Sequence, residues 1–225
     1  MPMTQQHTEL FEKFYQEDST FCCLASGPSL NQDQIDKISE EKKIIVIGVN
    51  DNWRWKRRDG SYICDHIYAA DVEFWQKYIC EMESIDQVKK IPKWIPIKKD
   101  YAKKHENMYC VPCKHRDGLG IDDTLHCGSH SGYQAVNLAY KLGAKKIILL
   151  GYDMKVGSDG KVHHFGDHPK GLRNTPNKYH VWAEKYKVLA NDLQKHGVDI
   201  VNCSPETSIK SVRRESLDDV LSTIH

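Results

Sequence analysis

The sequence predicts an α/β protein with a Rossmann-like, doubly wound, mostly parallel sheet, one domain over residues 1–225. Three observations predict it. Short apolar, β-branched runs recur along the chain and stop at small or polar residues. Segments with helical spacing follow several of them. One helix–glycine–strand succession, residues 130–150, reads as half of a βαβ unit.

The first run, residues 21–25 (FCCLA), is a buried strand halted by Ser26-Gly27-Pro28-Ser29. Residues 31–41 carry Ile35 and Ile38 at helical spacing on a polar background. Residues 43–48 (KIIVIG) form a second strand, β-branched throughout as expected when both faces are covered, and end at Val49-Asn50-Asp51. Residues 66–70 (HIYAA) make a third strand that stops at Asp71, and 72–82 a helix. Residues 83–126 are Lys-rich, contain Pro92, Pro96 and Pro112, and follow no single period. They predict an irregular insertion with a short strand at Met108 to Val111.

The clearest unit comes next. Residues 130–142 (HSGYQAVNLAYKL) are helical with Gly143 as the C-terminal cap, and 146–150 (KIILL) are a strand ended by Gly151-Tyr152-Asp153. Residues 155–177 are a polar lid-like loop, and loops of this length inside compact domains are usually functional or disordered. A long helix at 179–197 and a strand at 199–203 complete the chain. Four strands thus end in small or polar residues. In a doubly wound sheet these ends line one edge, where ligands bind.

Bulk composition narrows the function classes. A net charge of +1 provides no general field for nucleic acid or anionic membrane. No segment approaches the roughly 20 apolar residues of a membrane span. The first fourteen residues lack the charged and apolar regions of a signal peptide. A cytoplasmic location is therefore expected, with the eight cysteines as reduced thiols. The oligomeric state stays open, a homo-oligomer included.

Several motifs carry chemistry. Gly27 in the first turn admits close backbone approach by a ligand, and free N–H groups before a helix favour anions. The turn is neither a dinucleotide fingerprint nor a Walker loop. Ser129-His130-Ser131-Gly132 would cap a helix whose positive end suits phosphate. The loop holds His163, His164, Asp167 and His168 among Lys155, Lys161, Lys170 and Arg173. Histidine exchanges protons near neutral pH, and the cations can neutralise a phosphate. Cys110, Cys113, His126 and His130 have zinc-compatible spacing, although residues 114–125 lack the apolar pattern of a finger helix. Histidines and Asp167 of the lid are a weaker metal set. Trp53-Trp55-Lys56-Arg57-Arg58 mixes aromatic and basic groups; such a run is more often a surface loop with its tryptophans packed beneath than a nucleic-acid contact.

In order, these motifs resemble those of the family-42 glycosyltransferases, bacterial sialyltransferases using a cytidine-monophosphate sugar. They are also similar to a wider group with archaeal 6-hydroxymethylpterin diphosphokinase and many phage proteins. The carrying residues are Ala25-Ser26-Gly27-Pro28-Ser29-Leu30, Gly48-Val49-Asn50, His130-Ser131-Gly132-Tyr133 through to Leu150-Gly151-Tyr152-Asp153, and the segment from Val201 to Ser208. Residues 52–125 match poorly.

The resemblance implies a nucleotide site of Ser26, Gly27, Asn50, Ser131, Gly132, Gly151 and Asp153, to which the strand-end reading adds Asp71 and Tyr152. It implies a general base among His163, His164 and His168, His163 fitting best. In the sialyltransferases tyrosines after the Gly-x-Asp segment stabilise the departing phosphate; here Lys155 and, roughly, Lys161 hold those places. The implied activity is inverting, metal-independent sugar transfer with a CMP-sugar type of donor and no obligatory cofactor. The acceptor is left open among a glycan, a lipid-linked sugar and a modified base. Two alternatives stand beside it: ATP-dependent diphosphoryl transfer to a small, pterin-type alcohol, with Mg²⁺ held by carboxylates such as Asp71 and Asp153, and non-catalytic nucleotide binding.

Overall fold

The computed structural model describes residues 9–96, 98–166 and 176–224. Asp167, His168, Lys170 and Arg173 lie outside the described residues. The strands are β1 (Ser19–Leu24), β2 (Ile44–Val49), β3 (His66–Tyr68), β4 (Lys93–Pro96), β5 (Met108–Val111), β6 (Cys113–Lys114), β7 (Leu125–His126), β8 (Ala144–Leu150), β9 (Asp199–Asn202) and β10 (Arg213–Arg214). The helices are α1 (Glu9–Glu12), α2 (Gln32–Glu40), α3 (Val72–Ser84), α4 (Asp86–Lys90), α5 (Lys99–Ala102), α6 (Ser131–Lys141), α7 (Tyr179–Lys195) and α8 (Leu217–Leu221).

Eight strands form one sheet in the order β10-β9-β8-β1-β2-β3-β4-β5, and every pairing in it is parallel. From β1 the chain winds outward to β5, returns through α6, and lays β8 against the other side of β1. The winding direction reverses between β1 and β8, and open sheets bind ligands outside the strand ends at such a point.

The sheet is covered on both faces. In β1, Phe21 and Cys23 pack with residues of α6 and α7 such as Val136 and Leu189. Cys22 and Leu24 face the other way, toward Ile35 of α2, Phe74 of α3 and Val220 of α8. Alternation of side-chain direction along a strand makes this division. All six residues of β2 are buried, which is why its sequence shows no polar alternation. Asn31 and Gln34 start α2 with reciprocal side-chain-to-backbone bonds.

One expectation is corrected in part. Within residues 83–126 the expected short strand is present as β5, but the segment is not otherwise irregular: it also supplies β4, which with β5 completes one side of the main sheet, and the separate β6–β7 pair. The disguise is Lys93, a charged residue that is fully buried. Its ammonium donates to the carbonyls of Val88, Lys89 and Ile91 at 2.9–3.1 Å. These include carbonyls at the end of α4, acceptors that a helix terminus leaves unmet. The expectation of eight reduced thiols is corrected at one pair, because Cys113 and Cys127 are joined as a disulfide; the other six are free.

Among the described residues, no helix is long and apolar enough to cross a membrane.

Candidate functional site

The site starts from backbone contacts at the reversal point. The N–H of Ala25 donates to the carbonyl of Leu150, and that of Gly27 to the carbonyl of Gly151, at 2.9 and 2.8 Å. A Cβ on Gly27 would lie 2.4 Å from the Gly151 oxygen and 2.6 Å from Cγ of Asp153. Only glycine permits this approach. Gly151 itself has φ +69°, and a Cβ there would meet the Ala25 oxygen at 2.2 Å.

A cavity of about 570 Å³ opens above this junction. Ser26 and Gly27 after β1, Asn50 after β2, Asp71 after β3 and Gly151 after β8 all line it. Asn50 turns the chain there with φ +53°. From above come Ser131 and Gly132 at the start of α6, and Lys155 and His163 from the long loop. Strand ends, a helix start and a loop therefore bring stretches distant in sequence to one rim.

The start of α6 faces the cavity with backbone donors. His130 caps the helix, its Nδ1 accepting from the N–H of Tyr133 at 3.3 Å. The Ser131 hydroxyl accepts from the N–H of Ala70 at 3.1 Å, tying α6 to the end of β3. The backbone N–H groups of Ser131 and Gly132 have no acceptor among the described residues, and such first-turn donors attract negative charge. Burial, then the nearby Lys185, push the His130 pKa down to about 3, so that ring is a neutral group stacked on Trp182 at 5.0 Å.

Charge of both signs borders the cavity. The lining carries two acidic residues, Asp71 and Glu73, and two basic ones, Lys155 and Lys178. Lys155 is ion-paired with Glu206, which lowers the Glu206 pKa.

Three expected site residues do not line the cavity. Tyr152 is fully buried, with its hydroxyl donating to the Gly132 carbonyl at 3.0 Å; its ring props α6 against β8. Asp153 is 2 % exposed, and its oxygens accept from the hydroxyl and N–H of Ser29. Burial raises its pKa while the Ser29 bonds oppose the rise. His164 turns toward the protein, with Nε2 3.1 Å from Oδ1 of Asn52. Burial, then neighbouring His163, push its pKa down to about 4.

The zinc-spaced set does not assemble either. Cys113 is bonded to Cys127, His126 Nδ1 lies 3.0 Å from the Asp117 carbonyl, and His130 caps α6. Among the described residues no three His, Cys, Asp or Glu side chains converge on one point. In the Trp-Arg stretch, Trp53 is fully buried, Arg57 bonds the carbonyls of Tyr62 and Ile63, and Arg58 pairs with Asp36 and Glu40.

Sequence reasoning missed four residues here. Phe74, Tyr179 and Trp182 line the cavity, and Asn52 lies fully buried behind it. Tyr179 and Trp182 stand three apart at the start of α7, on one helical face. That spacing, directly after the long loop, was the available signal. Burial, then Asp153, push the Tyr179 pKa up to about 12, so its phenol keeps a proton to donate.

These features define an α/β fold with a cavity at the switch point, and the same fold occurs in glycosyltransferases. The chain is similar to the MAf glycosyltransferase from Magnetospirillum magneticum AMB-1, with TM-score 0.61, 14% identity, and coverage of 98% of this chain and 35% of that one. It thus spans about a third of that protein's length. It is also similar to the sialyltransferase CstII from Campylobacter jejuni in complex with a substrate analogue, cytidine-5'-monophosphate. There the TM-score is 0.54 and the identity 13%, over 88% of this chain and 85% of that one. No protein-family model matches the chain, and no curated protein matches it by sequence. At these identities the likeness establishes the fold.

Proposed function

We propose that this protein is a nucleotide-sugar-dependent, inverting glycosyltransferase in which His163 is the general base. The observation that carries the reading is the cavity at the β1–β8 junction. It combines a glycine-lined floor, an anion-attracting helix start, a cation at Lys155 and a histidine in one space of about 570 Å³. That volume falls in the range of small-molecule sites. The likeness to a sialyltransferase solved with cytidine-5'-monophosphate supports a CMP-sugar as donor.

In this reading the donor phosphate meets the N–H groups of Ser131 and Gly132, with Lys155 countering charge as the phosphate departs. His163 takes the proton from the acceptor hydroxyl as its oxygen attacks the anomeric carbon. One displacement, without a covalent intermediate, inverts that centre. Asp153 is tied to Ser29, so the pair Asp71 and Asp153 is not presented together to the cavity. This weighs against the diphosphokinase alternative.

Thermal-shift titration with CMP, UDP, GDP and ATP, each with and without Mg²⁺, tests the proposal, since stabilisation grows as RT ln(1 + [L]/Kd). A shift with CMP that needs no metal is expected. A response confined to ATP with Mg²⁺ would replace the proposal with diphosphoryl transfer. His163→Ala should lower transfer about 10²–10⁴-fold with nucleotide affinity nearly intact.

A further inference from the structure

Asn52 was not selected by any sequence motif, yet it is fully buried beside the cavity and its side-chain amide is completely used. Nδ2 donates to the Val49 carbonyl at 2.7 Å and to the Ser26 hydroxyl at 3.0 Å. Oδ1 accepts from the indole N–H of Trp55 at 3.1 Å. An indole nitrogen can only donate, and a carbonyl can only accept, so the orientation of the amide is forced from both ends.

That orientation dictates the state of His164. Its Nε2 lies 3.1 Å from the same Oδ1, an atom with no proton to give. Nε2 must therefore carry the hydrogen, leaving the lone pair of the neutral ring on Nδ1. Two further contacts fasten the residue. Its backbone N–H donates to the Ser26 carbonyl at 3.1 Å, and its ring packs against Trp55 at 4.9 Å between centroids.

We propose that Asn52 is a positioning residue: through His164 it clamps the loop onto the end of β1 and thereby holds His163 over the cavity. His163 is the residue immediately before His164 in the chain. It is braced locally by the Gly166 N–H donating to its carbonyl at 2.9 Å and by stacking on Phe165 at 5.2 Å. The contacts of His164 with Ser26, Asn52 and Trp55 join this part of the loop to the segments that follow β1 and β2. One buried amide therefore ties together the turn after β1, which floors the cavity, and the loop that covers it. The catalytic consequence rests on the reading of His163 as the base; the clamp itself does not.

Nitrogen-15 spectra of the imidazole rings test the clamp in the unaltered protein. His164 should be neutral and protonated on Nε2 at about pH 6; an Nδ1–H ring or a charged one would overturn the proposal. His164→Phe retains packing on Trp55 and removes the N–H donor without touching the core. It should speed amide exchange across residues 161–166 by about tenfold, the equivalent of one lost hydrogen bond. Exchange at the wild-type rate would overturn the clamp. Asn52→Asp keeps an acceptor for His164 and should preserve the Nε2–H signature, whereas Asn52→Ala should lose it. With a sugar donor, His164→Phe should reduce kcat about tenfold and leave the thermal shift with CMP in place. If CMP fails to stabilise even the wild type while the His164 signature and exchange results hold, the glycosyltransferase reading falls and the clamp stands.

Discussion

Ser29 holds both carboxylate oxygens of Asp153, its hydroxyl at 2.5 Å and its N–H at 2.7 Å, across 124 positions of sequence. The pair stitches the turn after β1 to the end of β8, beneath the cavity floor. Removing one partner leaves a buried carboxylate short of a donor, which costs about 1–3 kcal/mol. Ser29→Ala should lower the unfolding free energy in urea by that amount. An unchanged midpoint would mean that water replaces the bond.

The floor should tolerate no side chain. In Gly27→Ala the new methyl would lie 2.4 Å from a backbone oxygen that is itself hydrogen-bonded. The two strand ends must part, at about 1–3 kcal/mol for overpacking. The expected outcome is a folded protein of reduced Tm that no longer shows a thermal shift with CMP. A normal shift would remove this junction from the binding site.

Acid should weaken the fold through His66. This ring is 4 % exposed, accepts from the Trp94 indole at 3.2 Å, and burial pushes its pKa down to about 4. Its unfolded value is about 6.5. Between those limits the unfolded chain binds a proton that the fold refuses, so stability is present above pH 6.5 and falls as pH drops toward 4. The slope is up to about 1.4 kcal/mol per pH unit. The raised carboxyls of Asp51, Asp65 and Asp153 act in the opposite sense, but they are common to wild type and variant. The stability gap between wild type and His66→Asn should therefore narrow on acidification from about pH 6.5 to 4.5. A gap independent of pH would show that His66 titrates normally.

Glu206 competes with any bound phosphate for Lys155. Both side chains are substantially exposed, so the pair is worth roughly 0.2–1 kcal/mol. Glu206→Gln should tighten CMP binding by less than about fivefold, and Lys155→Met should weaken it by about tenfold or more, as expected for a lost charged hydrogen bond. Equal affinities across the three proteins would place the phosphate elsewhere.

Much of the architecture was legible because it is encoded locally. The strands β1, β2, β3, β8 and β9 announce themselves as apolar runs with abrupt ends, and α2, α6 and α7 by spacing and caps. The strand β5 was legible as the short run from Met108 to Val111, but β4 escaped notice because its stability comes from long-range contacts. Trp94 is fully buried, but the run around it begins with a lysine and is bounded by prolines. Nothing nearby in sequence shows that the ammonium of Lys93 will find three carbonyls. At the site, Ser26, Gly27, Asn50 and Gly151 could be selected as strand-end residues. The inward turn of Asp153, Tyr152 and His164 could not, since it depends on partners 124, 20 and 112 positions away.

Sequence alone therefore determined the succession of elements and the edge of the sheet to which they lead, because hydrophobic period and turn chemistry act over a few residues. Tertiary structure alone decided which polar groups face the cavity and which are consumed as internal ties. A serine, an aspartate or a histidine has the same hydrogen-bonding capacity in either role. The donor or acceptor that reaches it first comes from a distant part of the chain, and only folding brings that partner near.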